Sequence, residues 1–226
     1  YNHQNMVAVA ERLTDHLAAP PPGMPRERLW RVRAKQVVLA QGALEKPMVF
    51  AGNDCPGVML ASAAHTYLKR YGVLVGEQII VASAHDSAWA TAAALAEAGA
   101  YVRIAEARAE VAAPVRQRAL DAGVECDFST VATGTSGRAR VHAVKLQPLR
   151  DGVPLGGDWI HCDTVLMAGG WTPSVHLFSH TKGKLDWDGK RQVFLPGDSA
   201  EACVIAGAGA GVWGLGGALK TGAEAG

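Results

Sequence analysis

The chain has 226 residues, of which 49% are hydrophobic, and a formal net charge of +1, so it can bury a sizeable core in one large or two small domains. That near-neutral balance leaves no electrostatic footprint for nucleic acid or an anionic membrane, and no apolar run approaches the roughly 20 residues of a membrane span. Four widely separated cysteines, Cys55, Cys126, Cys162 and Cys203, include no CxxC pair, which argues against a zinc site or a disulfide framework and for reduced thiols in a cytoplasm.

The start, "YNHQNMVAVA", has neither an initiator Met nor the plan of a signal peptide. "NMVAVAERL" and "LWRVRAKQVVLA" read as strands joined by a Pro-rich connector containing Pro20, Pro21 and Pro22. No strand-turn-helix precedes them to begin a doubly wound sheet. From Asp54 to about Gly170 the pattern becomes regular: a helix at "MLASAAHTYLKRY", a strand-helix-strand unit, a helix at "APVRQRALDAG", then strand-like runs at "VECDFSTV", "RVHAVKLQPL" and "DTVLMAGG". Together these make a complete small α/β domain. The Gly/Ala-rich end, "VIAGAGAGVWGLGGALKTGAEAG", can be a flexible tail or a strand, tight turn and helix; Val204 and Ile205 favour the second.

The strand-helix-strand unit, Val81 to Glu106, has the layout of a dinucleotide-binding fold: "QIIVA", an Ala-rich helix closing on Gly99 and Ala100, then "YVRIAE". Glu106 lies 19 residues past Ser87, near the spacing at which an acid holds the ribose hydroxyls. The glycines of that fingerprint are absent, because the turn reads Ala82-Ser83-Ala84-His85-Asp86-Ser87. Asp86 would set a carboxylate where the phosphate belongs and reads as the N-cap of the helix. Two readings follow: a scaffold with a disabled cradle, or an unusual nucleotide site in which Glu106 still works.

An incomplete start and a complete middle fit one arrangement, in which a nucleotide domain is interrupted by a second and then resumes, as in flavoproteins of the glutathione reductase class. The expected fold is α/β, with an inserted Rossmann-like, three-layer nucleotide-binding domain at 51–170 flanked by remnants of an FAD/NAD(P)-binding domain at 1–50 and 171–226. "VVLAQGA" resembles the strand and turn that hand the chain over, and "VIAGAGAG" the strand that brings it back. The stretches "NDCPGVMLASAA", "ASAHDSAW" and "AGGWTPSVHLFSHTKGKLDWD" are similar, in that order, to the alpha subunit of bacterial heterotetrameric sarcosine oxidase. In that family the glycine-poor turn reads Thr-Asn-Asp-Ser-Ala-Tyr, so the missing glycines are a family feature.

The resemblance implies an oxidative demethylation of sarcosine to glycine, with hydrogen peroxide formed and the one-carbon unit passed to tetrahydrofolate. It implies NAD in the alpha subunit's first nucleotide domain, FMN at the interface with the beta subunit, and FAD with the amine-oxidising site in that beta subunit. It places NAD contacts at Ala208, Trp213 and Leu215, with Gly42 and Gly207 as backbone neighbours; where the family has Leu and Thr, this chain has Trp213 and Leu215. The chain alone is then expected to be a nucleotide-carrying, flavin-interface scaffold holding no cofactor, cytoplasmic, docked on other subunits and open to self-association. The alternative is an NAD(P)H-dependent flavin reductase, or the alpha subunit of an opine or proline dehydrogenase, which would need a working second cradle. His176 and His180 share a helical spacing, but no third metal ligand is evident. No catalytic residue is assigned.

Overall fold

In a computed structural model that describes residues 4–226, the chain divides into two compact units, one made of Tyr1–Leu44 with Thr172–Gly226 and the other of Glu45–Trp171. The 45–171 unit is built on a five-stranded, all-parallel sheet in the order Val58–Leu60, Thr164–Ala168, Gln78–Ser83, Tyr101–Glu106, Glu125–Phe128. Its central strands are continuous apolar runs because both faces are covered, as parallel sheets require. Ile79, Val81, Val102, Ile104 and Leu166 point to one face, where they pack with helices α1 (Ala61–Tyr71), α2 (Ser87–Glu97) and α3 (Ala113–Asp121). Ile80, Ala82, Ala105 and Val165 point to the other and meet Ala132, Val141, Val144 and Leu146. Those partners belong to an antiparallel sheet of Thr130–Gly137, Val141–Arg150, Val153–Pro154 and Asp158–His161. Three layers result, as the period-2 alternation of the strands predicts.

Local chemistry explains the boundaries. The small side chains Ala88, Ala92 and Ala93 are wholly buried on α2, which lets that helix lie close to the sheet and its neighbours. α1 stops at Gly72, which takes a left-handed conformation and donates its amide to Leu68 O. The run "VECDFSTV" proves to be two strands. Ser129, at φ +48°, turns the chain out of the parallel sheet after Phe128 and into the antiparallel one at Thr130.

The other unit carries a hairpin, Met6–Arg12 with Glu27–Arg33, connected through the Pro-rich segment. Its base is anchored by Asn5, whose side-chain amide donates to Lys35 O and Ala202 O while its backbone N–H donates to Glu201. "LWRVRAKQVVLA" is likewise split: after Arg33 the chain starts a new strand, Val37–Leu39, which pairs in parallel with Cys203–Ile205. Leu185–Asp188 and Val193–Pro196 form a second antiparallel pair, and α4 (His176–His180) supplies Phe178 to a small core with Leu39 and Cys203. The Gly/Ala-rich end is ordered as a 3-10 turn, Gly207–Ala210, followed by α5 (Leu215–Ala225). Among the described residues no helix is long and apolar enough to cross a membrane.

Leu166, wholly buried between sheet and helices, and Leu219, 65% exposed on α5, should respond differently to truncation. Leu166→Ala should cost about 2–5 kcal/mol and Leu219→Ala no more than about 0.5 kcal/mol, measured by denaturant unfolding. Equal losses would contradict the assignment of the core.

Candidate functional site

The end of the Gln78–Ser83 strand, the start of α2 and the end of the Tyr101–Glu106 strand converge where a dinucleotide would meet a Rossmann-type fold. Glu106, the residue at the ribose-binding spacing, is fully buried. Its Oε2 accepts hydrogen bonds from Ser83 Oγ at 2.8 Å, Trp89 Nε1 at 3.1 Å and Arg108 Nη2 at 3.1 Å. Its Oε1 accepts from Arg108 Nε at 2.9 Å and from the Arg108 backbone N–H at 3.2 Å. A carboxylate offers about four lone-pair sites. Five donors therefore saturate Glu106 from within the chain, and a ribose hydroxyl would find no acceptor.

The space is filled as well as the hydrogen bonds. The Trp89 indole is wholly buried and stacks on Phe128 with ring centroids 6.1 Å apart. Arg116 lies over the Phe128 ring at 5.8 Å, which adds a cation–π contact. Arg108 completes the closure by reaching across to Asp86 Oδ1 at 2.6 Å. Its guanidinium pKa is raised, first by the hydrogen bond to Glu106.

Asp86 holds the N-cap position that the sequence suggests, but its side chain does not cap the helix. It has helical backbone angles and makes no side-chain cap bond, because its carboxylate is held by Arg108. His85 caps the helix instead: its Nδ1 accepts the Ser87 amide at 3.2 Å and lies 3.1 Å from Ser87 Oγ. Burial lowers the His85 pKa, which favours the neutral ring that such an acceptor needs. The amides of Ala88 and Trp89 close onto His85 O and Asp86 O, so the positive end of α2 is already satisfied by its own turn.

The residues that the resemblance places around NAD all lie in the other unit. Gly207 opens the 3-10 turn at φ +65°, and its amide donates to Thr221 Oγ1 at 3.0 Å, so that N–H is spoken for. Gly42 sits at φ +72° beside open space. A Cβ on Gly209 would come within 3.4 Å of Gly42 O, so the turn and the Gly42 backbone approach closely. Ala208 lies in this turn, Trp213 follows it, and Leu215 is the first residue of α5, 77% exposed. Gly42, Gly207 and Ala208 are thus brought together, while Trp213 and Leu215 present partly or largely exposed apolar surface.

No family model matches the chain. It is 41% identical over 226 residues to the sarcosine oxidase subunit alpha of Corynebacterium sp. (strain P-1), a match covering 98% of this chain and 23% of that protein. The subunit alpha of Rhizobium meliloti (strain 1021) is 35% identical over 222 residues, covering 97% of this chain and 21% of that protein. In sequence, the chain is similar over nearly its whole length to one part of sarcosine oxidase alpha subunits. It spans less than a quarter of the length of those relatives. In fold it is similar to thioredoxin reductase from T. acidophilum, at a TM-score of 0.63 and 18% identity over 86% of this chain and 64% of that one. Thioredoxin reductase from Lactococcus lactis gives 0.65 at 17% identity, covering 88% and 65%. Histamine dehydrogenase from Rhizobium sp. 4-9 gives 0.56 at 19%, covering 84% and 30%. These identities establish a shared α/β fold with FAD/NAD(P)-binding oxidoreductases and nothing finer.

The sequence points to Glu106 and Asp86 but not to their partners. Trp89 and Arg108 were the available signal: a large aromatic in the first turn of an Ala-rich helix, and a basic residue two past the acid. Cys126 and Cys162 are not activated thiols. Burial pushes the pKa values of Cys126 and Cys162 up to about 12, so both remain protonated at neutral pH and are poor nucleophiles. His176 and His180 form no group of three or more metal-ligating residues among those described.

Replacing Glu106 with Gln should destabilise the 45–171 unit by about 3 kcal/mol, the low end for breaking a buried ion pair, because the Arg108 side chain is 36% exposed. Asp86→Asn, with 54% of the Asp86 side chain exposed, should cost less than about 1 kcal/mol. Equal costs in denaturant titrations would mean that Glu106 is not the centre of the cluster.

Proposed function

We propose that this chain serves as a nucleotide-carrying and flavin-interface scaffold within the alpha subunit of a multi-subunit sarcosine oxidase, an oxidoreductase acting on a CH–NH bond. The saturation of Glu106 by Ser83, Trp89 and Arg108 is the observation that carries the scaffold role. It leaves the inserted Rossmann-like unit without a free carboxylate acceptor for the ribose. The division of the chain at 44/45 and 171/172 supports reading the outer segments as parts of one interrupted dinucleotide-binding domain.

In this reading NAD belongs to that outer domain. Gly42, with no side chain and open space beside it, can admit a ligand against its backbone, and Ala208, Trp213 and Leu215 would line the same region. Because the Gly207 amide is held by Thr221, Gly207 would act through its lack of a side chain rather than as a phosphate donor. Bound NAD would supply a tightly held dinucleotide. The residues of this chain would contact and shield it, and none of them is placed to move a proton or a hydride. The amine-oxidising chemistry, with FAD in the beta subunit and FMN at the alpha–beta interface, would lie in the assembled heterotetramer. Such an assembly is placed in the cytoplasm, in keeping with free thiols. An independent flavin reductase is disfavoured, since it would need the cradle that Trp89 and Arg108 fill.

In the intact oxidase, Ala208→Phe should lower the NAD recovered per alpha subunit at least about tenfold, while Ser83→Ala, in the closed cradle, should leave it unchanged. NAD released by denaturation and quantified enzymatically gives the readout. Full retention in the first variant, or loss in the second, would contradict the proposal.

A further inference from the structure

The 45–171 unit has a cavity of about 320 Å³, set between the first turns of α1 and α2 and lined by Glu45, Ser62, His65, Thr66, Ser87, Ala90, Thr91 and Trp171. It is separate in lining from the Glu106 cluster. Glu45 is 92% buried, from a residual exposure of 8%. Its Oε2 accepts the Ser62 amide at 2.7 Å, which fixes the carboxylate at the start of α1; Oε1 has no hydrogen-bond partner among the described residues.

Three of the four hydroxyl groups in this lining have already given their protons away. Thr66 Oγ1 donates to Ser62 O at 2.9 Å, and Thr91 Oγ1 to Ser87 O at 3.5 Å. Ser87 Oγ accepts the Trp171 indole N–H at 3.0 Å. It lies 3.1 Å from His85 Nδ1, and that nitrogen already accepts the Ser87 amide. A ring nitrogen that accepts one hydrogen bond carries no proton of its own, so Ser87 Oγ is the donor to it. With three hydroxyl protons and the indole proton consumed, these groups offer a ligand lone pairs beside the Glu45 carboxylate, and the Ser62 hydroxyl and His65 ring complete the polar lining. The unpartnered Glu45 oxygen is open to the cavity, where a charged or strongly donating ligand suits it. A bare metal ion would leave most of the cavity unfilled, whereas an ammonium with a short alkyl group brings several donors and a body that fits against Ala90 and the Trp171 ring.

We propose that this cavity is a binding site for a small organic ammonium ion, held by Glu45 Oε1 and the outward lone pairs of Thr66, Ser87 and Thr91. The inference is independent of where NAD is bound. Ethylammonium chloride titrated into the 226-residue chain, followed by nitrogen–proton NMR, tests it through two reporters: the Ser62 amide and the Trp171 indole N–H. Both should shift saturably, with a dissociation constant on the order of 10 mM, as suits a ligand of so few atoms. Potassium chloride and ethanol at the same concentrations should produce no saturable shift. Glu45→Gln, which keeps an acceptor for the Ser62 amide but removes the charge, should weaken binding at least about tenfold. Equal shifts with potassium chloride or ethanol, no saturable shift with ethylammonium, or undiminished binding in a folded Glu45→Gln chain would overturn the proposal. If that variant does not fold, the comparison of the three solutes on the unmodified chain decides alone.

Discussion

A single buried carboxylate organises the middle of this protein. Glu106 sits at the carboxyl end of a central parallel strand, where Rossmann-type folds place the acid that recognises ribose, and it cannot remain there unpaired, because an isolated buried charge costs several kcal/mol. Where a nucleotide-binding relative can leave such an acid for its ligand, this chain supplies Ser83, Trp89 and Arg108. The consequences spread outward. Arg108 draws Asp86 away from the start of α2, His85 takes over the cap, and the Trp89 ring occupies the floor against Phe128. The absence of glycines in the turn then carries no penalty, since no pyrophosphate has to approach the backbone.

Closing the cradle changes what the unit can be. A Rossmann-like layer system whose ligand site is filled by its own side chains remains a rigid, well-packed body, with Ile79, Val81, Ile104 and Leu166 wholly buried. Such a body can hold a fixed position in a larger flavoprotein without competing for dinucleotide. The 4–44 and 172–226 segments differ in character. Their shared core is small, centred on Leu39, Phe178 and Cys203, and they expose Leu29, Trp30, Val32, Leu215 and Leu219.

Much of the fold was legible in the sequence because its signals are local. The β-branched runs at 78–83 and 164–168, the Ala-rich helix closing on Gly99, and the Gly/Ala-rich turn before α5 are each set by spacing and propensity, and each is found where expected. The misreadings have a common cause. Ser129 breaks one apparent strand through a left-handed backbone that composition does not reveal. Asp86 has the right residue type and position for a cap, but a long-range partner 22 residues away takes its carboxylate. The closed cradle and the Glu45 cavity depend on which donors meet which acceptors across elements, and no period or motif encodes that.

The account stands or falls on whether the Glu106 cradle stays shut when nucleotide is offered. The Trp89 indole N–H, donated to Glu106 and wholly buried, reports this directly through its rate of hydrogen exchange. In the presence of NADH at concentrations on the order of 1 mM, exchange should be as slow as without it, and the indole resonance should not move. A resonance that shifts saturably with NADH, or an indole proton that exchanges faster as nucleotide is added, would show that the cradle opens and binds, and the closed-scaffold reading would be wrong.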